Sequence, residues 1–126
     1  MKLASFLLFL LPVSAFAHAH LLASEPAQNA VLQETPKTVI LHFSEALELA
    51  MCKLDVKDVE TGKVVSEGKP TTSEDRQILQ INLTALNSSK KKNQFEVTWR
   101  AVAKDTHKIN GKFMFSVDSE ASQKRK

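Results

Sequence analysis

The chain has 126 residues, and its 17 lysines and arginines exceed its 14 aspartates and glutamates by a net charge of +3. This length allows one domain with a single core and is too short for two. Many of the cations lie in two short runs, at 90–92 and 124–126, without interleaved aromatic residues that could stack on bases, so we expect no nucleic-acid binding. A single cysteine, Cys52, excludes an intramolecular disulfide.

Residues 1–17 contain the three parts of a secretory signal. Lys2 precedes an apolar run at 3–11, and Ala15-Phe16-Ala17 has the small-x-small pattern of a cleavage site. The apolar run is too short for a transmembrane helix. We therefore predict export and removal of the signal, which leaves 109 of the 126 residues and makes His18 the first residue.

An N-terminal histidine is a candidate metal chelate. Its α-amine and its imidazole can bind one ion together, and both nitrogens suit copper(II). The amine has a pKa near 8 in an ordinary chain, so its proton is readily displaced by a metal at neutral pH. The alternative is that His18 is only the residue that cleavage happens to expose.

The mature sequence alternates between apolar and polar residues in several short segments and has almost no helical periodicity. We predict an all-β domain over residues 18–118, either an antiparallel sandwich or a Greek-key barrel of about seven strands, with Trp99 in its core. Gly111 is expected to open the last strand, and a polar, disordered tail is expected at 119–126. The segments with this alternation are 37–43, 52–59, 79–83, 95–100 and 111–117, with a turn at 60–63 followed by a short run at Val64-Val65.

Asp105 and His107 form a second candidate half-site, in a predicted loop between the last two strands. In an extended segment, residues two apart point the same way, so the carboxylate and the imidazole can address one ion. The alternative is that Asp105 orients the turn and His107 is merely exposed. Together with His18, the pair would supply one amine, two imidazoles and one carboxylate.

These segments resemble the CopC-type periplasmic copper-resistance proteins, including their YobA-like group. The resemblance covers nearly the whole mature chain, and its segments are His18-Ala19-His20-Leu21, Ser24-Glu25-Pro26-Ala27, Leu41-His42-Phe43-Ser44-Glu45, 98–107 and Gly111-Lys112-Phe113. It implies a cupredoxin-like, or immunoglobulin-like, β-barrel that binds copper(II) in the periplasm. It also implies a partner, an inner-membrane importer of the CopD type.

By position, the resemblance implies that copper(II) binds to the amine and imidazole of His18 and to Asp105 and His107. It offers Glu45 as an axial ligand or as a carboxylate beside the site. His20 is expected to begin the first strand rather than to bind the ion. Some members bind copper(I) through a methionine-rich loop, but the stretch from Cys52 to Leu83 contains no methionine, so we expect a protein for copper(II) alone.

Two other functions remain open. A histidine chelate with a further histidine is also the copper brace of lytic polysaccharide monooxygenases, but the chain has no tyrosine and Asp105 would occupy the space that oxygen needs. The third reading is an exported immunoglobulin-like module without a metal. Cys52 has no neighbouring ligands of the blue-copper type and is expected to be a small buried side chain. We therefore predict a monomeric copper-binding protein that is not an enzyme.

Overall fold

The computed structural model of the protein describes residues 19–84 and 90–120. The predicted signal at 1–17, the candidate ligand His18 and residues 121–126 of the predicted tail lie outside this part of the chain. Among the described residues, no helix has the length and apolar character needed to cross a membrane. The described elements are β1 (Leu21–Glu25), β2 (Val31–Leu32), β3 (Thr38–Phe43), a 3-10 turn (Leu49–Met51), β4 (Lys53–Asp58), β5 (Ser66–Thr72), β6 (Ile78–Leu83), β7 (Lys92–Val102) and β8 (Lys108–Asp118).

The strands form two four-stranded sheets, in the orders β1-β3-β6-β5 and β2-β8-β7-β4. The predicted all-β class is confirmed, and of its two forms the sandwich is correct, because the sheets are not closed into a barrel. Eight strands lie in the described residues where about seven were predicted. The additional strand β2 has two residues, too few to show alternation, and it pairs with β8 in parallel whereas the other strand pairs are antiparallel.

The core lies between the two sheets and includes the apolar faces predicted from the alternation. Trp99 on β7 packs edge-on against Phe43 on β3, with ring centroids 5.2 Å apart, and this contact joins the two sheets. Phe95 and Phe115 stack within the second sheet at 5.1 Å. The buried residues of these faces are Val39, Leu41, Phe43, Leu54, Val56, Leu79, Ile81, Leu83, Phe95, Val97, Trp99, Phe113, Phe115 and Val117.

The prediction that Gly111 opens the last strand is wrong. β8 begins at Lys108, and Gly111 lies inside it, opposite Trp99 on β7. An isolated glycine within a strand often marks a place where another group approaches the backbone closely. Here that group is the ring of Trp99.

The strand after the turn at 60–63 also differs from the prediction. Val64 makes only an isolated bridge to Lys57, and the strand itself, β5, begins at Ser66. β5 is polar and contains Pro70, a residue that cannot donate a hydrogen bond to a neighbouring strand. It is tolerated because β5 lies at the edge of its sheet.

The first two residues of the predicted tail contact the end of the sandwich where β7 begins. The Ser119 N–H donates to the Lys91 carbonyl at 3.0 Å, and Glu120 pairs with the ammonium group of Lys91 at 2.5 Å.

Candidate metal centre

The segment 44–48, directly after β3, brings the start of the described chain and the loop between β7 and β8 to one end of the sandwich. The His20 N–H donates to Oγ of Ser44 at 2.8 Å, and the Ser44 N–H donates to the His20 carbonyl at 2.9 Å. Three residues further on, Leu47 pairs with Ala103 in an antiparallel bridge. The 44–48 segment is therefore hydrogen-bonded to His20 on one side and to the base of the loop that carries Asp105 and His107 on the other.

Two further bonds hold the loop to the same segment. The Lys104 N–H donates to the Ala46 carbonyl at 3.3 Å, and the Glu48 N–H donates to the Val102 carbonyl at 2.7 Å. The position of the loop is thus set by backbone hydrogen bonds, which do not depend on the identity of the exposed side chains.

Asp105 and His107 meet at the tip of this loop. Oδ2 of Asp105 and Nδ1 of His107 are 3.0 Å apart, and the His107 N–H donates to Oδ1 of Asp105 at 3.2 Å. Their side chains are 34% and 58% exposed, so both are accessible to an ion from solvent. The carboxylate contacts the imidazole, as expected for a pair of ligands, and it also accepts a backbone hydrogen bond that orients the turn. The structure is therefore compatible with both alternatives that the sequence left open.

The reason for this contact differs from the one predicted. Thr106, between the two residues, has φ of 73°, so the segment is not extended and the rule for strand side chains does not apply. The Thr106 N–H donates to the Ala103 carbonyl at 2.9 Å, and the Ala103 N–H donates to the His107 carbonyl at 3.2 Å. A tight turn, not strand alternation, brings the carboxylate to the imidazole.

The other candidate residues are less closely gathered. Glu45 is exposed between Ser44, which is bonded to His20, and Ala46, which is bonded to Lys104. His20 is exposed immediately before β1. Within residues 19–84 and 90–120, no group of three or more His, Cys, Asp or Glu side chains is placed to hold a metal. The structure thus brings Asp105 and His107 together without Glu45, and His18 lies outside the described residues.

A model of the CopC domain family matches residues 21–118. The chain belongs to the CopC family. It is 32% identical over 111 residues to "Copper resistance protein C" of Xanthomonas campestris pv. juglandis, an alignment that covers 82% of this chain and 83% of that protein. It is 30% identical over 104 residues to "Protein YobA" of Escherichia coli K12, with 82% of each covered. The family resemblance predicted from the motifs is confirmed.

A solved structure and a larger relative extend the CopC comparison. The crystal structure of CopC from Methylosinus trichosporium OB3b has a TM-score of 0.65 and 26% identity, with 80% of this chain and 94% of that chain covered. "Copper transport protein CutJ" of Bacillus subtilis strain 168 is 28% identical over 112 residues, which are 89% of this chain but 20% of CutJ. The chain spans about a fifth of the length of that relative.

CopC family proteins are copper-binding and copper-resistance proteins and not enzymes. This supports the prediction that the chain is not an enzyme. It also counts against the monooxygenase alternative, which relied on a histidine chelate together with one further histidine.

Cys52 is a buried structural residue of this CopC-family domain, as predicted. It is 7% exposed, and its Sγ lies 3.3 Å from the Glu48 carbonyl and 3.5 Å from the Val102 N–H. Burial raises the pKa of the Cys52 thiol, so the sulfur stays protonated at neutral pH and is a poor metal ligand. Met51 beside it is 40% exposed.

Ser44 holds the backbone of His20 without being a candidate ligand itself. Its side chain accepts a hydrogen bond from a residue 24 positions earlier in the chain. A long-range bond of this kind leaves no local pattern. The only sequence signal was that Ser44 stands between Phe43 and Glu45 in one of the motifs shared with the family.

Proposed function

We propose that the mature protein binds copper(II) through the amine and imidazole of His18 together with Asp105 and His107, and that it carries the ion in the periplasm. The observation that carries this proposal is the contact between Asp105 and His107 on a loop that shares one supporting segment with His20. A chain extends at most about 3.6 Å per residue, so His18 begins within about 7 Å of His20. We assign Glu45 to an axial or neighbouring position.

The donor chemistry favours copper(II). Copper(II) has the highest affinity among the common divalent ions of its row and takes tetragonal nitrogen and oxygen ligands, which the amine, two imidazoles and a carboxylate provide. Copper(I) prefers several sulfur ligands. The mature chain has three sulfur atoms, and one of them belongs to the buried, protonated Cys52. We therefore propose a copper(II) carrier without a separate tight copper(I) site.

We further propose that the protein acts as a monomer and delivers copper to an inner-membrane importer of the CopD type. CutJ is named a copper transport protein, and the alignment with this chain takes up about a fifth of it. Because a copper transport protein contains a segment similar to this chain, we infer that this chain performs one step of copper transport. That step is capture of the ion before it reaches the membrane protein.

The experiment that tests the copper site compares the protein beginning at His18 with a version carrying one additional N-terminal glycine. The added residue removes the free amine from the histidine and leaves the described fold as it is. We expect tight one-to-one copper(II) binding with a nitrogen-rich tetragonal electron paramagnetic resonance spectrum in the first protein. In the second, the affinity should fall and the spectrum should change.

The second variant is His107→Ala in the protein that begins at His18. The proposal requires both changes to weaken binding, because they remove ligands from opposite half-sites. Equal affinity of the glycine-extended and the unextended protein would overturn the chelate, and unchanged affinity after His107→Ala would overturn the loop half-site. Affinity should also fall as the pH is lowered, because protons compete with the metal for the amine and imidazole nitrogens.

A further inference from the structure

A basic groove lies on the outer face of the β2-β8-β7-β4 sheet. Its volume is about 490 Å³. Two rows of paired residues cross it. In one row, Arg100 on β7 pairs with Lys53 on β4 and Asn110 on β8. In the other, Thr98 on β7 pairs with Asp55 on β4 and Lys112 on β8. The polar residues that line the groove are Lys53, Asp55, Thr98, Arg100, Asn110 and Lys112.

The charges in this groove are not balanced. Three of its residues, Lys53, Arg100 and Lys112, are cations, and Asp55 is the single carboxylate among those that line it. Within residues 19–84 and 90–120, no ion pair at 4.0 Å or less involves any of these four residues. Lys53 and Lys112 are exposed, so their positive charges are accessible to a ligand from solvent.

Arg100 has an unused hydrogen-bonding group. Its Nε is buried and has no hydrogen-bond partner within the described part of the chain. A buried N–H without an acceptor costs free energy. A carboxylate is the group that matches a guanidinium best, since it can accept two parallel N–H bonds at once.

We propose that this groove binds an acidic segment of a partner protein, whose carboxylates meet Lys53, Arg100 and Lys112. The charge of the groove is complementary to such a segment, and the concave shape fits side chains that enter it. A lipid surface is less well matched, because anionic head groups form a plane, whereas the groove is concave. The amide of Asn110 provides a further polar contact.

The groove lies next to the loop that carries Asp105 and His107. Arg100 is two residues before Val102, where β7 pairs with the first residue of β8, so it lies about 7 Å from the base of the loop. An acidic segment in the groove would therefore contact the protein beside the candidate metal centre. This consequence rests on the proposed function, whereas binding of the segment itself does not require copper.

The test uses the metal-free mature protein and a fluorescein-labelled hexaglutamate peptide as the probe, with binding measured by fluorescence anisotropy at low ionic strength. We expect saturable binding that Arg100→Gln and Lys112→Gln each weaken about two- to fivefold, the range of a single exposed charge pair. Asp55→Asn should strengthen binding, because it removes the carboxylate that lines the groove. The matched control is Lys63→Gln, which removes the same charge from the exposed turn at 60–63.

The outcomes separate this proposal from its alternatives. Equal weakening by Lys63→Gln and Lys112→Gln would overturn the groove, since binding would then follow net charge alone. Absence of binding by the unaltered protein would also overturn it. So would binding to phosphatidylglycerol vesicles that hexaglutamate does not displace. Circular dichroism and a thermal melt of each variant verify that the sheet is intact, and because no copper is present, failure here leaves the proposed metal site unaffected.

Discussion

The indole ring of Trp99 lies against the backbone of Gly111, the residue directly opposite it on β8. A Cβ atom on Gly111 would lie 2.5 Å from Cε2 and 2.8 Å from Nε1 of that ring, well inside van der Waals contact. Trp99 is 7% exposed and also packs against Phe43 of the other sheet. The absence of a side chain at position 111 thus allows the only tryptophan to join the two sheets.

Gly111→Ala is therefore expected to lower the free energy of unfolding by about 1 to 3 kcal/mol, the range of overpacked cores. Urea denaturation measures this change. In a Trp99→Phe background, the smaller ring leaves space for the methyl group, so the same substitution should cost less. Asn110→Ala, at the exposed neighbouring position, is the control and should stay within about 0.5 kcal/mol of the unaltered protein. Equal costs of Gly111→Ala in both backgrounds would contradict the steric explanation.

Ser44→Ala is expected to lower the affinity for copper(II) about two- to tenfold, the effect of losing one ordinary hydrogen bond. The Oγ of Ser44 accepts from the His20 N–H at 2.8 Å and so restrains the chain two residues after the proposed ligand His18. A competition titration measures the affinity. Ser66→Ala is matched, because Oγ of Ser66 also accepts a backbone N–H, that of Val56 at 3.1 Å, away from His20. If both variants lowered the affinity equally, restraint of the N-terminal arm would not be the cause.

The strands that form the core were predictable because their side chains alternate. Val39, Leu41 and Phe43 on β3 are buried and alternate with less buried residues, and the same pattern marks β7 and β8. β5 was not predictable, since an edge strand packs few apolar side chains and tolerates Pro70. The alternation shows which residues face the core, but it does not show which strands end a sheet.

The candidate site was predictable in composition and not in geometry. The spacing of two residues between a carboxylate and an imidazole predicted Asp105 and His107 as a half-site. The two side chains meet, however, because Thr106 has a positive φ. Such a conformation is uncommon for a residue with a branched side chain, so no sequence rule would have placed it there. The bond between His20 and Ser44 likewise depends on the pairing of β1 with β3.

Asp75 is expected to make stability depend on pH in the acid range. Its Oδ1 accepts the Ser73 hydroxyl at 2.5 Å and the Gln77 N–H at 3.1 Å, and these bonds hold the pKa of Asp75 below its ordinary value of 3.8. The same turn supports the 44–48 segment, because the Arg76 carbonyl accepts the Leu47 N–H at 2.8 Å.

The unfolded chain takes up a proton at Asp75 at a higher pH than the folded protein does. The stabilisation from Asp75 is therefore complete above the ordinary pKa and is lost as the pH falls through the lower value of the folded state. The free energies of unfolding of the unaltered protein and of Asp75→Asn, measured between pH 6 and pH 2, should differ most at pH 6. A difference that stayed constant down to pH 2 would show that the carboxylate charge is not involved.

Asp105→Asn separates the two roles of Asp105 that the loop combines. An asparagine can still accept the His107 N–H, as Oδ1 does at 3.2 Å, but its neutral amide is a weak ligand for copper(II) and a weaker partner for Nδ1 of His107. We expect the fold to be retained and the copper(II) affinity to fall about 10- to 100-fold, with a changed paramagnetic resonance spectrum.

Glu67→Gln is the control for Asp105→Asn, because it removes an exposed carboxylate from β5. It should leave both the affinity and the spectrum unchanged, whereas a general effect of charge would lower the affinity in both variants alike. If Asp105→Asn lowered the melting temperature and left copper binding intact, Asp105 would only orient the turn. If it weakened binding at constant stability, the carboxylate acts on the metal, directly or through the imidazole of His107.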